Sequence, residues 1–212
     1  MTSRDEILDR VRQALGRHAG EAAPDPPPVR IRIPEVGRNT RIASLLARVE
    51  ALAGRGLRAA TNQEAAEIVR TALGSRSAIA SNAPLLAACG ITDLPGVRSG
   101  IAHRDQLREL CASAEVGITG ADYALADTGT LVMLSSPQEA RMISLLPPAH
   151  IAVVRGERIL SGLDELFSIL PNPADVASSM VLITGPSRTA DIEQMLVRGV
   201  HGPGEITVVA IG

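Results

Sequence analysis

The sequence predicts an α/β fold, a mainly parallel sheet covered by helices on both faces. Three observations predict it. Short runs rich in Val, Ile and Ala, such as 151–154 and 206–211, are bounded by turn residues, as buried strands are. Between them lie segments of about ten residues with apolar positions at helical spacing, most of them introduced by a capping signal. Strand and helix signals also alternate along the chain, with no repeat at a period of roughly 20–50 residues.

At the N-terminus, Ser3-Arg4-Asp5-Glu6 is a capping box opening a helix with Ile7, Leu8, Val11 and Leu15 on one face, and Gly16 stops it. Such a short helix is not stable alone in water, so it docks on its own domain, on a second copy or on a partner. Ala22-Ala23-Pro24-Asp25-Pro26-Pro27-Pro28 reads as an extended linker. The expected organisation is therefore an N-terminal helix (1–16), a proline-rich linker (17–37) and an α/β domain (38–212).

In that domain Ile42, Leu45, Leu46, Val49 and Leu52 mark a helix ended by Gly54, and 57–60 a strand. Thr61 and Glu64 form a second capping box for a helix through Leu73. Strand 77–80 follows, then a helix begun by Pro84 and running through Cys89, strand 97–101 and helix 103–113. Strand 116–119 leads into the most polar loop of the chain, and 131–134 is the next strand. Ser136-Pro137-Gln138-Glu139 combines an N-cap, a proline at the first helical position and a capping-box acid, so a helix is expected to Leu146, where Pro147-Pro148 stops it. Strand 151–154, helix 162–170 with Leu163, Leu166 and Phe167 inward, strand 180–183, helix 190–197 and strand 206–211 complete the chain.

Composition removes several classes of function. Apolar residues make up 45% of the 212, enough for a substantial core. A net charge of −2 with interspersed signs argues against nucleic acid. No run is long enough to span a membrane and no signal peptide is visible, so a cytoplasmic location is expected. All 21 basic residues are arginine, which excludes Schiff-base lysine chemistry and a Walker lysine. Tyr123 and Phe167 are the sole aromatics, too few for a base-stacking platform. Cys89 and Cys111 stand apart in apolar runs, and four thiolates are the usual requirement for an iron–sulfur cluster, so none is expected here. GxSxG, GxGxxG and HExxH are absent, as is any pair of histidines at metal-ligand spacing, so no metal site is expected.

The polar loop carries the leading site candidates. Asp122 follows Gly120 just past a strand's carboxyl end, the edge where open α/β sheets bind ligands. Asp127 comes next, and Thr128-Gly129-Thr130 adds hydroxyls and free N–H groups. Asp122 and Asp127 are candidate catalytic carboxylates, with Thr119, Gly120, Thr128, Gly129 and Thr130 as ligand-binding residues; both acids read equally well as caps. A second candidate is Thr184-Gly185-Pro186-Ser187-Arg188-Thr189, expected to open a helix. Helix N-termini suit anions, and Ser187, Arg188 and Thr189 would supply hydroxyls and a guanidinium fork. The alternative is one cap and a solvated arginine. Asp191 and Glu193 read as ordinary first-turn acids. If both loops sit at one sheet edge, Arg188 and the Asp122–Asp127 loop share a crevice. His201, inside a Gly- and Pro-rich turn, is an acid–base candidate or simply part of that turn.

The run GITGADYALADTGTLVML (117–134), with Gln138-Glu139-Ala140-Arg141 and LLPPAHIAVV (145–154), resembles the lactate-utilisation protein C family (LutC/YkgG), whose shared unit is the LUD domain. Residues 183–193 and 199–203 are similar to that family's second signature. The resemblance implies a fold like that of ribose-5-phosphate isomerase and the CoA-transferases. It also implies a part in bacterial L-lactate oxidation to pyruvate beside iron–sulfur partner proteins, with Arg141 reaching the Asp122–Asp127 loop as a further ligand-binding residue, the alternative being an arginine that points to water. Three readings result. The first is an accessory component offering a small-anion pocket or a docking surface, the clusters being held by partners. The second is an isomerase or CoA-transferase-like enzyme with Asp122 as general base and Arg188 on a phosphate, since Gly120-Ala121-Asp122 looks like a triplet of sugar-phosphate isomerases. The third is an interaction module built on the N-terminal helix, with a second copy among its candidate partners.

Overall fold

The computed structural model describes residues 3–16, 18, 20, 22, 35–189 and 197–212, without the side chains of Thr189, Val197 and Arg198. It divides into two units, Met1–Arg32 and Ile33–Gly212. The first contains helix α1 (Ser3–Leu15), whose Ile7, Val11 and Leu15 are exposed. Most of the proline-rich stretch lies outside the described residues.

The second unit begins with α2 (Arg38–Ala51), β1 (Arg55–Ala59), α3 (Asn62–Leu73), β2 (Ala78–Ala80), α4 (Pro84–Ala88), β3 (Val97–Arg98), α5 (Arg104–Ser113) and β4 (Val116–Gly120). It continues with β5 (Tyr123–Leu125), β6 (Thr130–Leu134), β7 (Ala149–Arg155), β8 (Ile159–Leu160), α6 (Leu163–Ile169), β9 (Met180–Thr184), β10 (Arg188–Thr189), β11 (Val197–Arg198) and β12 (Glu205–Ile211). At the start of α3, Thr61 Oγ1 accepts from the Glu64 N–H at 3.1 Å while Glu64 reaches back to the Ala60 N–H at 2.7 Å, as the capping signal predicts.

Six strands form one parallel sheet in the order β1-β12-β7-β4-β2-β3. Its strands are apolar on both faces because both are covered. Residues of α3 and α4, such as Val69, Leu73 and Leu86, pack on Ile118, Ile151 and Val209. On the other face Ile42, Leu45 and Val49 of α2 join Ala124, Leu131 and Met133 against Ala152, Val154 and Val208. Ala124, Leu131 and Met133 belong to a second sheet, β8-β5-β6-β9, in which β6 runs antiparallel to both β5 and β9.

The second sheet corrects the expectation that 131–134 and 180–183 extend the parallel array. Four residues separate β5 from β6, and a parallel crossover needs a dozen or more, so the chain makes a hairpin. Residues 123–125, read as loop, are its first strand. The helix expected over 137–146 is also absent; its place is taken by a single helical turn at Arg141–Ser144. Of the three side chains expected inward on α6, only Leu166 is buried, against Leu125, Val132 and Leu160, while Leu163 and Phe167 are exposed. For the helix expected over 190–197, residues 190–196, with Asp191 and Glu193, lie outside the described residues. Val197 belongs to β11, antiparallel to β10, so Arg188-Thr189 is strand and not a helix start.

Candidate functional site

The parallel sheet sets the place of the site. From β2 the chain goes outward to β3, and from β4 it goes the other way to β7, so the crevice between β2 and β4 is a topological switch point. A cavity of about 460 Å³ opens there, lined among others by Pro84, Gly120, Asp122, Glu139, Arg155 and Arg158.

Each polar group has a local reason to be there. Asp122 Oδ2 accepts the Leu134 N–H at 2.7 Å, pinning the end of the β5–β6 hairpin and leaving Asp122 half-buried on the cavity wall. Burial raises its carboxyl above the usual range; the Leu134 hydrogen bond and the charge of Arg158 oppose the rise. The Ser136 cap does form, its Oγ accepting from Glu139 N at 3.0 Å and Gln138 N at 3.2 Å. The backbone is then diverted, because Gln138 O accepts from Asn82 N at 2.9 Å and ties the segment to the loop after β2. Glu139 therefore turns inward instead of completing a capping box. Its Oε1 accepts from the Gly120 N–H at 2.7 Å and the Ser81 hydroxyl at 2.8 Å. Gly120 permits this approach: a Cβ there would lie 3.2 Å from Oε1 and 3.1 Å from the Ala83 Cβ.

Glu139 is 9% exposed, and its Oε2 is buried without a partner. Burial pushes its carboxyl up to about 7; the Ser81 and Gly120 hydrogen bonds pull it down and the nearby Asp122 charge adds to the rise. Arg158 donates to the Tyr123 hydroxyl at 3.1 Å and stands 5.2 Å from the centre of that ring. Arg155 ends β7 on the same wall. Among the described residues, the ion pairs include neither arginine. The cavity thus combines two arginines, one carboxylate and one acid poised near neutrality, a set suited to holding a small anion and exchanging a proton with it.

The LUD domain family model matches residues 42–211. The chain belongs to the LUD domain family. A protein named lactate utilization protein C from Anoxybacillus flavithermus is 38% identical over 108 residues, 51% of this chain and 48% of that one. The protein of the same name from Bacillus subtilis is 40% identical over 102 residues, 46% of this chain and 42% of that one. The matched segment thus spans about half the length of these relatives. The crystal structure of a DUF162 family protein from Deinococcus radiodurans shares the fold, with a TM-score of 0.63 and 20% identity, covering 84% of this chain and 100% of that one.

Within this LUD domain the other sequence candidates disperse. Asp127, Thr128 and Gly129 lie at the far end of the hairpin from Asp122, because Tyr123 pairs with Val132 and Leu125 with Thr130. The two acids are up to roughly 16 Å apart along the strand, at about 3.3 Å per residue. Thr130 bridges the hydroxyls of Thr128 and Thr184, each at 2.8 Å, and Gly129 lies against Arg48 of α2. Arg188 donates to Leu52 O beyond the end of that helix, and Ser187 is engaged through its backbone with Pro203 and Gly199. Arg188 and Asp122 consequently do not share a crevice. β9 runs antiparallel to β6, so its carboxyl end pairs with Thr130, while Asp122 bonds to Leu134 at the opposite end.

Thr119 is buried and bonded to His150 Nε2 at 2.8 Å. Arg141 is exposed and borders a separate void of about 10 Å³ that also touches Glu139. His201 is exposed in the loop before β12, and the Thr189 side chain is outside the described set. Sequence reasoning missed Glu139, Arg155, Arg158, Tyr123 and Ser81 as site residues. Arg155 directly follows the 151–154 run, so the carboxyl-edge rule that singled out Asp122 points to it as well.

Proposed function

We propose that this LUD domain acts in lactate utilisation by binding a small organic carboxylate in the cavity between β2 and β4. The observation that carries the reading is that Arg155, Arg158, Asp122 and Glu139 line one cavity at the switch point of the sheet. The lactate context comes from the relatives named above and from the signatures at 117–134 and 183–203. If each heavy atom takes no more than the ~30 Å³ of a liquid water, the six of lactate fill at most about 180 Å³. The cavity is larger, so charge, not size, defines the ligand class. In this reading the electrons of lactate oxidation leave through iron–sulfur partners. Cys89 and Cys111 are consistent with that division of labour, since they are buried in two separate core clusters.

Growth on L-lactate as sole carbon source tests the role of the site. A strain lacking this gene should be restored by the wild type and not by Asp122→Asn. Asparagine still presents an oxygen to the Leu134 N–H, so the variant should accumulate normally. Normal growth with Asp122→Asn at ordinary protein levels would reject the site.

A further inference from the structure

We propose that this pocket takes its carboxylate together with a proton, and that Glu139 is the residue that holds the proton. The inference rests on the anion-site reading above and deepens it.

The geometry leaves little room for a charged Glu139. Its Oε1 already accepts two hydrogen bonds, and its Oε2 is buried with no donor against it. No cation pairs with it among the described residues. A buried carboxylate with one bare oxygen is costly, and the molecule avoids that cost by placing a proton on Oε2. The charged and titratable groups around it come from several elements. Asp122 and Tyr123 follow β4, Arg155 ends β7, and Arg158 precedes β8. Arg141 borders the small void on which Glu139 also lies, and the loop after β2 contributes the neutral Ser81.

A charge count gives the consequence. Arg155 and Arg158 contribute two positive charges and Asp122 one negative. With Glu139 neutral the pocket carries a net charge of one positive; with Glu139 ionised it carries none. An entering carboxylate is therefore favoured by the protonated form and in turn favours it. At pH 8 a proton from the buffer adds to Oε2 as the anion enters, and it leaves again on release. No other atom changes partner in this step.

The test is calorimetric titration of the full chain with L-lactate between pH 6 and pH 9, in two buffers of different ionisation enthalpy. We expect proton uptake approaching one per ligand above neutrality and an affinity falling about tenfold per pH unit there, with little dependence below. Glu139→Gln, a neutral mimic, should bind with no uptake and no such slope. Binding without uptake, or uptake undiminished in Glu139→Gln, overturns the inference and leaves the anion site standing. If L-lactate binds at no pH, the anion-site reading fails instead. Carbon-13 NMR of labelled glutamate then decides for Glu139 alone. One carboxyl titrating near neutrality and missing from Glu139→Gln sustains its proton-holding role, and glutamates all titrating in the ordinary range end it.

Discussion

Glu139 and His150 are the two buried ionisable side chains with the largest consequences, and they act on stability in opposite senses. The His150 imidazole is held by Thr119 at Nε2 with Nδ1 unpartnered, and burial pushes it down to about 4. Between about 4 and 6.5 the unfolded chain then binds the extra proton, so stability rises with pH through that window. For Glu139, raised from 4.5 to about 7, the folded protein binds the extra proton, so stability is fully present below 4.5 and is lost as pH rises through 7. Glu139→Gln should therefore match the wild type near pH 4 and be the more stable of the two at pH 8, by on the order of 1–3 kcal/mol. Denaturant melts at the two pH values measure this; a variant less stable at pH 8 would mean that Glu139 is charged and well accommodated. Neither residue declared itself in the sequence. Glu139 followed Ser136 at the spacing of a capping box, and only the tertiary bonds from Gly120 and Ser81 give its carboxylate another place to go.

The elements most faithfully read were those whose signals are local. The capping box at Thr61, the proline that starts α4 and the β-branched runs of β7 and β12 each specify their own conformation. Misread elements depended on what the chain meets later. The helix expected over 137–146 gives way where Gln138 is tied to Asn82, and Ile143 is drawn down onto β4. There a Cβ on Gly117 would lie 1.9 Å from the Ile143 carbonyl oxygen. For α6 the pattern of apolar residues overstated the buried face, since the second sheet covers only Leu166. Two truncations separate these cases. Leu166→Ala should cost about 2–5 kcal/mol, as deletions in a closed core do. Phe167→Ala, at a side chain 42% exposed, should cost under about 1 kcal/mol. Equal losses in urea unfolding would restore Phe167 to the core.

At the scale of the whole molecule, the parallel sheet was legible because strand and helix signals alternate, and its switch point could then be expected to hold a ligand. What was not legible was that the two family signatures meet in the second sheet, where β9 pairs antiparallel with β6 and its carboxyl end reaches Thr130 rather than Asp122. The first crosses from β4 into the hairpin, and the second begins on β9, so Asp122 and Arg188 are separated by the length of that hairpin. No helix among the described residues is long and apolar enough to cross a membrane. The central claim is that Arg155, not Arg188, serves the anion site, and it is tested most directly by thermal unfolding with and without saturating L-lactate. At about 100 times the dissociation constant a bound ligand stabilises the fold by roughly 2.7 kcal/mol. We predict that wild type and Arg188→Ala both show this upward shift in Tm and that Arg155→Ala loses it. A shift kept by Arg155→Ala and lost by Arg188→Ala would contradict the account and return the site to the second signature.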